Sequence, residues 1–144
     1  PMKTLKQLLE SNPRKLATVA PDQTIYEALK VMAESDVGAL LVMEGHNLRG
    51  VFSERDYARK VILNGKSSFD TNVSEAMSGR VAYVTLDRTV EECLAIMTEK
   101  HFRHLPVLND SGNVVGIISI GDLIKEVINQ QQFIIKQLEN YISS

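Results

Sequence analysis

The chain has 144 residues, a hydrophobic content of 44% and a formal net charge of -2 at pH 7. This length suits one compact domain or two small units with a shared core, and the near-neutral charge gives no electrostatic basis for nucleic-acid binding. No apolar run reaches the roughly 20 residues of a membrane-spanning helix. The single cysteine, Cys93, excludes an intrachain disulfide. We therefore expect a cytoplasmic protein with neither a membrane nor a nucleic-acid partner.

The first half of the chain predicts a lead-in helix followed by a β-α-β-β-α unit. After Asp22, apolar residues recur at helical spacing, at positions 25, 28, 29 and 32. Two apolar segments on either side of a Gly- and Asn-containing turn are typical of a β-hairpin, and a second helix begins at Ser53. The predicted segments are a lead-in helix at 3–10, strands at 16–20, 39–43 and 48–53, and helices from Asp22 and Ser53.

The second half predicts the same order of elements after a polar linker at 64–72 and a short lead-in helix at VSEAM. The final helix continues past the end of the repeat, with apolar residues at 134, 135, 138, 141 and 142 on one side. Such a stripe requires a cover, which a partner subunit could supply. The predicted segments are strands at 81–85, 104–108 and 114–119, and helices from Asp87 and Ser119.

The two halves form an internal repeat. At an offset of 65 residues, Ala17 aligns with Ala82 and Met32 with Met97. After the hairpin turn the offset becomes 66, and the segments GVFSERD and GIISIGD coincide. One additional residue in the second turn explains the change, since turns tolerate insertions. Two copies favour a closed pseudo-symmetric pair over a solenoid.

Each copy contains a serine at the end of a strand and an aspartate three residues later: Ser53 with Asp56, and Ser119 with Asp122. One interpretation is structural, because serine is a good helix N-cap and the acid resembles the second half of a capping box. The other is sugar-phosphate recognition. A helix N-terminus and a serine hydroxyl suit a phosphate, and an ionised aspartate accepts both hydroxyls of a ribose. The residues alone leave both interpretations open.

The same segments resemble a known family. HLPVLNDSGNVVGIISIGDL (104–123) and GALLVMEGHNLRGVFSERDY (38–57), with the repeat starts ATVAPDQTIYEAL and AYVTLDRTVEECL, are similar to tandem cystathionine-β-synthase (CBS) domains, a pair called a Bateman module. The resemblance covers almost the whole chain except the end of the last helix. It implies an α/β (α+β) fold of two β-α-β-β-α repeats with pseudo-twofold symmetry, packed sheet to sheet with helices outside.

The resemblance is closer in the second repeat than in the first. Leu41 stands where the second repeat has Pro106, and Gly38 and Ala39 replace Arg103 and His104. The implied division is a first repeat with its lead-in helix at 2–63, a linker at 64–72, a second repeat at 73–128 and a helical extension at 129–144. Members of the family pair into flat dimers through their helices, so the resemblance also implies a homodimer.

Family members bind adenosine-containing ligands in clefts between the repeats. The resemblance therefore implies a regulatory sensor of AMP, ATP or NAD, without a catalytic cofactor, whose state is read by an effector protein that the sequence does not identify. It implies that the two aspartates hold ribose hydroxyls, the two serines bond phosphate or ribose oxygens, and adenine lies against Ala17 or Ala82. The implied ligand-binding residues are Ala17, Ser53, Arg55, Asp56, Ala82, Phe102, Arg103, His104, Ser119 and Asp122.

Several residues have an equally simple structural interpretation. Arg55 fits a solvated cation at a helix end, and Arg103 fits a structural ion pair. His46 and His101 stand apart from other metal-binding residue types, so we expect no metal site. Cys93 falls on the apolar face of a helix, where a small core residue is expected rather than a nucleophile.

Two other functions compete with the sensor. One is a protein-interaction or oligomerisation scaffold with one or both sites empty, which the departures of the first repeat favour. The other is an enzyme, but the sequence has no Ser-His-Asp set, metal-ligand cluster or Gly-rich phosphate loop, so we expect no catalytic residues.

Overall fold

The structure is a computed structural model that describes residues 3–143. It contains two three-stranded sheets, each with its strands in sequence order. The first sheet comprises β1 (Thr18–Val19), β2 (Ala39–Glu44) and β3 (Asn47–Ser53), and the second comprises β4 (Val84–Thr85), β5 (His104–Leu108) and β6 (Val114–Ser119).

Helices follow the predicted order in both repeats. A 3-10 turn at Val73–Glu75 corresponds to the predicted second lead-in helix. The helices are α1 (Leu5–Ser11), α2 (Ile25–Ser35), α3 (Glu54–Asp56, continued by a π-helix at Tyr57–Ile62), α4 (Val90–Lys100) and α5 (Ile120–Ser143).

The two sheets have matching registers. In each sheet the first strand is parallel to the second, which pairs with the third in an antiparallel hairpin. Ala39 lies opposite Ser53 in one hairpin, and His104 lies opposite Ser119 in the other. The α+β fold class and the β-α-β-β-α order of both repeats are therefore confirmed.

The first strand and first helix of each repeat begin later than the sequence indicated. The strands β1 and β4 are two residues long, because only those residues pair with the next strand. The helix N-caps are Thr24 and Thr89, two residues after Asp22 and Asp87. Each threonine accepts a hydrogen bond from the backbone N–H three residues on, and the glutamate there bonds back, which completes a capping box.

The lead-in segments pack against the opposite repeat. Leu5 of α1 lies in the hydrophobic cluster of the second repeat, whereas Val73 and Ala76 lie in that of the first. Backbone hydrogen bonds follow the same exchange, since the Val90 N–H donates to Lys3 O at 3.0 Å. Each of the two cores thus contains apolar side chains from the lead-in segment of the other repeat. The division of the chain into two repeats with a linker at 64–72 stays a prediction from the sequence.

The start of the last helix is buried and its end is exposed. Leu123 is fully buried, whereas residues 131–143 are all exposed, so the surplus apolar stripe predicted from the sequence is present. Its large exposed side chains include Phe133, Ile134, Ile135 and Leu138. Within residues 3–143, no helix combines the length and apolar character needed to cross a membrane.

Candidate functional site

A cleft of about 1360 Å³ lies beside the first Ser-x-x-Asp motif. One wall comes from the end of β3 and the start of α3, including Ser53 and Asp56. Most of the remaining lining comes from residues 77–82, which precede β4, and from residues 101–104, which lead into β5. The cleft is therefore built from both repeats.

Seven of the ten predicted ligand-binding residues line this cleft. Three do not: Ala17, Ser119 and Asp122. Ala17 is buried in the first hydrophobic cluster, and its carbonyl accepts a hydrogen bond from the Leu41 N–H at 3.2 Å. A ligand-binding role for any of the ten remains a prediction. The seven are Ser53, Arg55, Asp56, Ala82, Phe102, Arg103 and His104.

Asp56 closes a capping box at the start of α3. Its Oδ2 accepts hydrogen bonds from the Ser53 N–H and hydroxyl, both at 3.0 Å. In return the Asp56 N–H donates to Ser53 Oγ at 3.2 Å. The structural interpretation of the motif is therefore correct, and the short aspartate reaches as well as the glutamates of the other boxes.

The second oxygen of Asp56 faces cleft-lining residues. Oδ1 lies 3.2 Å from the Lys60 ammonium, which comes from the next helical turn, and 3.4 Å from the hydroxyl of Ser78, in the segment before β4. Both partners are side chains that can turn away, and both can be replaced by hydroxyl donors of a ligand. A carboxylate in this position can accept two hydroxyls of a sugar.

Four arginines project around the cleft: Arg55, Arg59, Arg80 and Arg103. Within residues 3–143 none of them forms a salt bridge. The charge of Arg59, followed by desolvation and the charge of Arg103, lowers the pKa of the Arg55 guanidinium. Five cations, these arginines and Lys60, thus line the cleft with two acids, Glu54 and Asp56, and this excess of positive charge favours an anion.

His104 lines the cleft and lies opposite Ser119 of the second motif in the β5–β6 hairpin. Burial lowers the pKa of its imidazole, and the charge of Arg103 adds to this effect. The carboxylates of Asp122 and Asp56 act in the opposite direction, which shows that His104 is within electrostatic range of both. The net effect keeps the ring neutral at a pH where an exposed histidine would begin to protonate.

Asp122 closes an equivalent capping box but has a different partner. Its Oδ2 accepts from the Ser119 N–H at 2.9 Å and lies 3.1 Å from Arg14 Nη2, which belongs to the segment before β1. Burial raises the pKa of the Asp122 carboxyl, but the hydrogen bonds from Ser119 and the charge of Arg14 outweigh it, so the pKa is lowered.

Sequence reasoning missed other residues of the cleft, chiefly Arg59, Lys60, Ser78 and Arg80. Arg59 and Lys60 could have been found, because residues three and four positions after Asp56 lie on the same side of a helix as Asp56. The contact between Ser78 and Asp56 joins residues 22 positions apart and has no signal in the motif. Within the described residues, no group of three His, Cys, Asp or Glu side chains is placed to hold a metal ion.

A sequence profile of the CBS domain matches residues 11–63 and again residues 73–129. The chain belongs to the CBS domain family. The segment 77–82, whose close approach to β3 shapes the cleft, falls within the second CBS repeat, and the motif with Asp56 closes the first.

Relatives of this CBS protein occur in plants and bacteria. The mitochondrial CBS domain-containing protein CBSX3 of Arabidopsis thaliana is 37% identical over 126 residues, which are 84% of this chain and 61% of the plant protein. The CBS domain-containing protein YhcV of Bacillus subtilis is 37% identical over 108 residues, which are 75% of this chain and 76% of YhcV. The chain thus spans less than two thirds of the length of CBSX3.

Solved structures of CBS proteins share the fold. A protein with CBS domains from Burkholderia ambifaria MC40-6, provisionally assigned to signal transduction, is 48% identical with a TM-score of 0.84, and the match covers 90% of this chain and 96% of that chain. The CBS domain pair of protein MJ0100, solved with 5′-methylthioadenosine and S-adenosyl-L-methionine, is 23% identical with a TM-score of 0.77 over 91% of this chain and 99% of that chain. The latter likeness establishes the fold alone.

Proposed function

We propose that this CBS pair is a regulatory module that binds an adenine nucleotide, AMP, ATP or NAD, in the cleft beside Asp56. The observation that carries the proposal is the juxtaposition of Asp56 and Ser53 with four arginines that form no salt bridge among residues 3–143. A ribose and a phosphate group differ in chemistry, and this cleft offers a matching group for each. Asp56 would accept the ribose hydroxyls, while Arg55 and Arg103 would hold phosphate oxygens.

The remaining wall of the cleft suits a purine base. Ala82, Met77 and Phe102 contribute partly exposed apolar surface beside residues 79–81 of the same lining. An aromatic base gains from burial against such surface, and backbone N–H and C=O groups can read its edge. The binding of two adenosine derivatives by the CBS pair of MJ0100 supports the same ligand class.

A regulatory role would follow from the position of the cleft between the repeats. A ligand in contact with Asp56 in the first repeat and with Arg103 in the second favours the relative arrangement of the repeats that satisfies both contacts. Its effect on that equilibrium equals its difference in affinity for the two arrangements, for which about 1–3 kcal/mol is typical. An effector protein would read the change. We propose binding rather than catalysis, and a cytoplasmic setting, for which the buried, unpaired Cys93 is suited.

A scaffold function is the second candidate, and the exposed helix end favours it. Residues 131–143 of α5 are exposed in a single chain, and Ile134 and Leu138 lie on one side of the helix with 56% and 57% of their surfaces exposed. An isolated helix of this length is marginal in water, so a partner surface should cover it. We propose that a second copy of the chain covers it. Such a dimer is compatible with a sensor, and under the scaffold hypothesis pairing itself would be the function.

A thermal-shift panel with AMP, ATP, NAD and S-adenosylmethionine separates the candidates. A ligand bound only to the folded state at a hundred times its Kd stabilises by about 2.7 kcal/mol, which raises the melting temperature by several degrees. The sensor predicts such a rise with at least one nucleotide. No rise with any ligand favours the scaffold, and turnover of a nucleotide would show an enzyme.

A further inference from the structure

The two repeats offer two pseudo-equivalent places for a ligand, one beside Asp56 and one beside Asp122. Both aspartates close capping boxes with the same geometry, and their hairpins have matching registers. The two places nevertheless differ in charge and in what lies against the carboxylate. The large cleft includes Asp56 and does not include Asp122.

The cations of the cleft have few counterparts around Asp122. The five cations are the four arginines of the cleft and Lys60. At the corresponding positions of the other repeat, two are replaced by glycine and one by Glu126, which forms an ion pair with Lys3 at 3.1 Å. Only two of the five positions keep a cation, so the place beside Asp122 has fewer groups that could hold a phosphate. The corresponding pairs are Arg55 with Gly121, Arg59 with Lys125, Lys60 with Glu126, Arg80 with Lys15 and Arg103 with Gly38.

The carboxylate of Asp122 is already held by a cation from across the repeat boundary. Arg14 Nη2 lies 3.1 Å from Asp122 Oδ2, and the side chain of Asp122 is 26% exposed. Counted back at the same offset from Ala82, the residue that corresponds to Arg14 is Gly79. Gly79 lines the open cleft, and a Cβ atom added to it would have no atom within 4 Å.

The ion pair of Asp56 is of a different kind. Lys60 belongs to the same helical run as Asp56, four residues on, and its side chain is 41% exposed. Its ammonium also donates to the Met77 carbonyl oxygen at 3.4 Å, a long contact, so the side chain can turn into solvent or toward a phosphate for the loss of that one weak hydrogen bond. Arg14 instead reaches Asp122 from the segment before β1, which corresponds to residues 77–82 of the cleft.

We propose that each chain binds one nucleotide, in the cleft beside Asp56, and that the Arg14–Asp122 ion pair replaces a ligand at the second place. The proposal rests on the proposed function, because it assigns the stoichiometry and the location of the same ligand. The second repeat keeps its Ser-x-x-Asp motif for helix capping and for this contact between the repeats.

Calorimetric titration with ATP, and in parallel with AMP and NAD, tests the proposal. The wild-type chain should bind one molecule per chain of whichever probe binds. Gly79→Arg places an arginine beside Asp56 at the position that corresponds to Arg14 beside Asp122. An ion pair with Asp56 should then weaken nucleotide binding at least about tenfold, which corresponds to the loss of one charge-assisted hydrogen bond. Arg14→Gly should leave one site with affinity within about twofold of wild type, since the cations are still missing beside Asp122.

The possible failures are distinguishable. Two molecules per chain, or a single site that Arg14→Gly abolishes and Gly79→Arg leaves intact, would overturn this inference while the nucleotide-binding function stands. No binding of ATP, AMP or NAD to the wild-type chain would overturn the proposed function and the inference together. Urea unfolding of each variant verifies that a change in binding is not a change in folding.

Discussion

Asp56 has a structural role and a proposed binding role at the same time. One oxygen caps α3 through Ser53, and the other faces Lys60 and Ser78 at the cleft. Because a carboxylate can accept about four hydrogen bonds, capping with Oδ2 leaves Oδ1 to exchange its side-chain partners for sugar hydroxyls. Capping and ligand binding therefore do not exclude each other in this motif.

Asp56→Asn separates the two roles. The amide oxygen can still cap the helix, so the free energy of unfolding should fall by no more than about 1 kcal/mol. Loss of the charge should weaken nucleotide binding by about 1.5–3 kcal/mol, the range for hydrogen bonds to charged groups. Calorimetry and urea unfolding measure the two quantities, with Glu44→Gln in the exposed β2–β3 hairpin as a control of the same charge change. A destabilised protein with unchanged affinity would leave capping as the only role.

His104 should make stability depend on pH. Burial lowers the pKa of its imidazole in the folded protein, so between that value and the unfolded value of about 6.5 the unfolded chain binds more protons. Stability therefore falls as the pH drops below about 7. We expect His104→Gln to reduce the slope of the unfolding free energy between about pH 7.5 and 5.5. An unchanged slope would show that His104 does not titrate differently in the two states.

Single residues were predictable only where a local motif contained them. Ser53 and Asp56 followed from a strand end and a helix start, and Arg103 and His104 from the family pattern. Arg80 and Ser78 were missed because they reach the cleft through packing of residues 77–79 against β3, which no local spacing encodes. The ion pair of Arg14 with Asp122 was missed for the same reason.

At the scale of elements, the repeated glycine before each serine has two different causes. A Cβ atom on Gly50 would lie 2.5 Å from the Ser78 carbonyl oxygen. Ser78 is held there because it exchanges two backbone hydrogen bonds with Val51, one through its N–H and one through its carbonyl. At the equivalent Gly116 the nearest atom is Leu9 Cδ1, at 3.3 Å. The Leu9 side chain can change its rotamer to make room for a Cβ atom, whereas the Ser78 backbone cannot move without displacing the segment that lines the cleft. Glycine is therefore required for the cleft at position 50 and not at position 116.

Alanine at the two glycines gives a matched comparison. Gly50→Ala should destabilise by about 1–3 kcal/mol and weaken nucleotide binding, since residues 77–82 must move away from β3. Gly116→Ala should cost less stability, because Leu9 can change its rotamer, and should leave binding unchanged. Urea unfolding and calorimetry on both variants measure this. Equal losses at the two positions would contradict the assignment of the cleft wall to the contact with Gly50.

The order of the elements was largely readable from the sequence. Hydrophobic periodicity and turn residues located both hairpins and the amphipathic helices, because these signals are local. The strands β1 and β4 were predicted too long, since their ends depend on a parallel partner rather than on composition. The exchange of lead-in segments between the two cores was not predicted, because the sequence shows that α1 has an apolar face but does not show which core that face packs against.

At the scale of the whole molecule, the end of α5 should mediate pairing of two chains. Ile134→Glu with Leu138→Glu places two charges on the exposed apolar side, where burial without partners is costly. We expect the wild type to sediment as a dimer and the double variant as a monomer with its nucleotide affinity retained. Asn140→Glu, on the other side of the same helix, is the control. A monomeric wild type would contradict the homodimer.

A crystal structure of the chain grown with saturating ATP tests the central proposal most directly. We predict one nucleotide per chain in the cleft, with its ribose hydroxyls on Asp56, its phosphates toward Arg55 and Arg103, and Arg14 still paired with Asp122. A cleft that stays empty with ATP and equally with saturating AMP and NAD, or a nucleotide bound beside Asp122 instead, would contradict it.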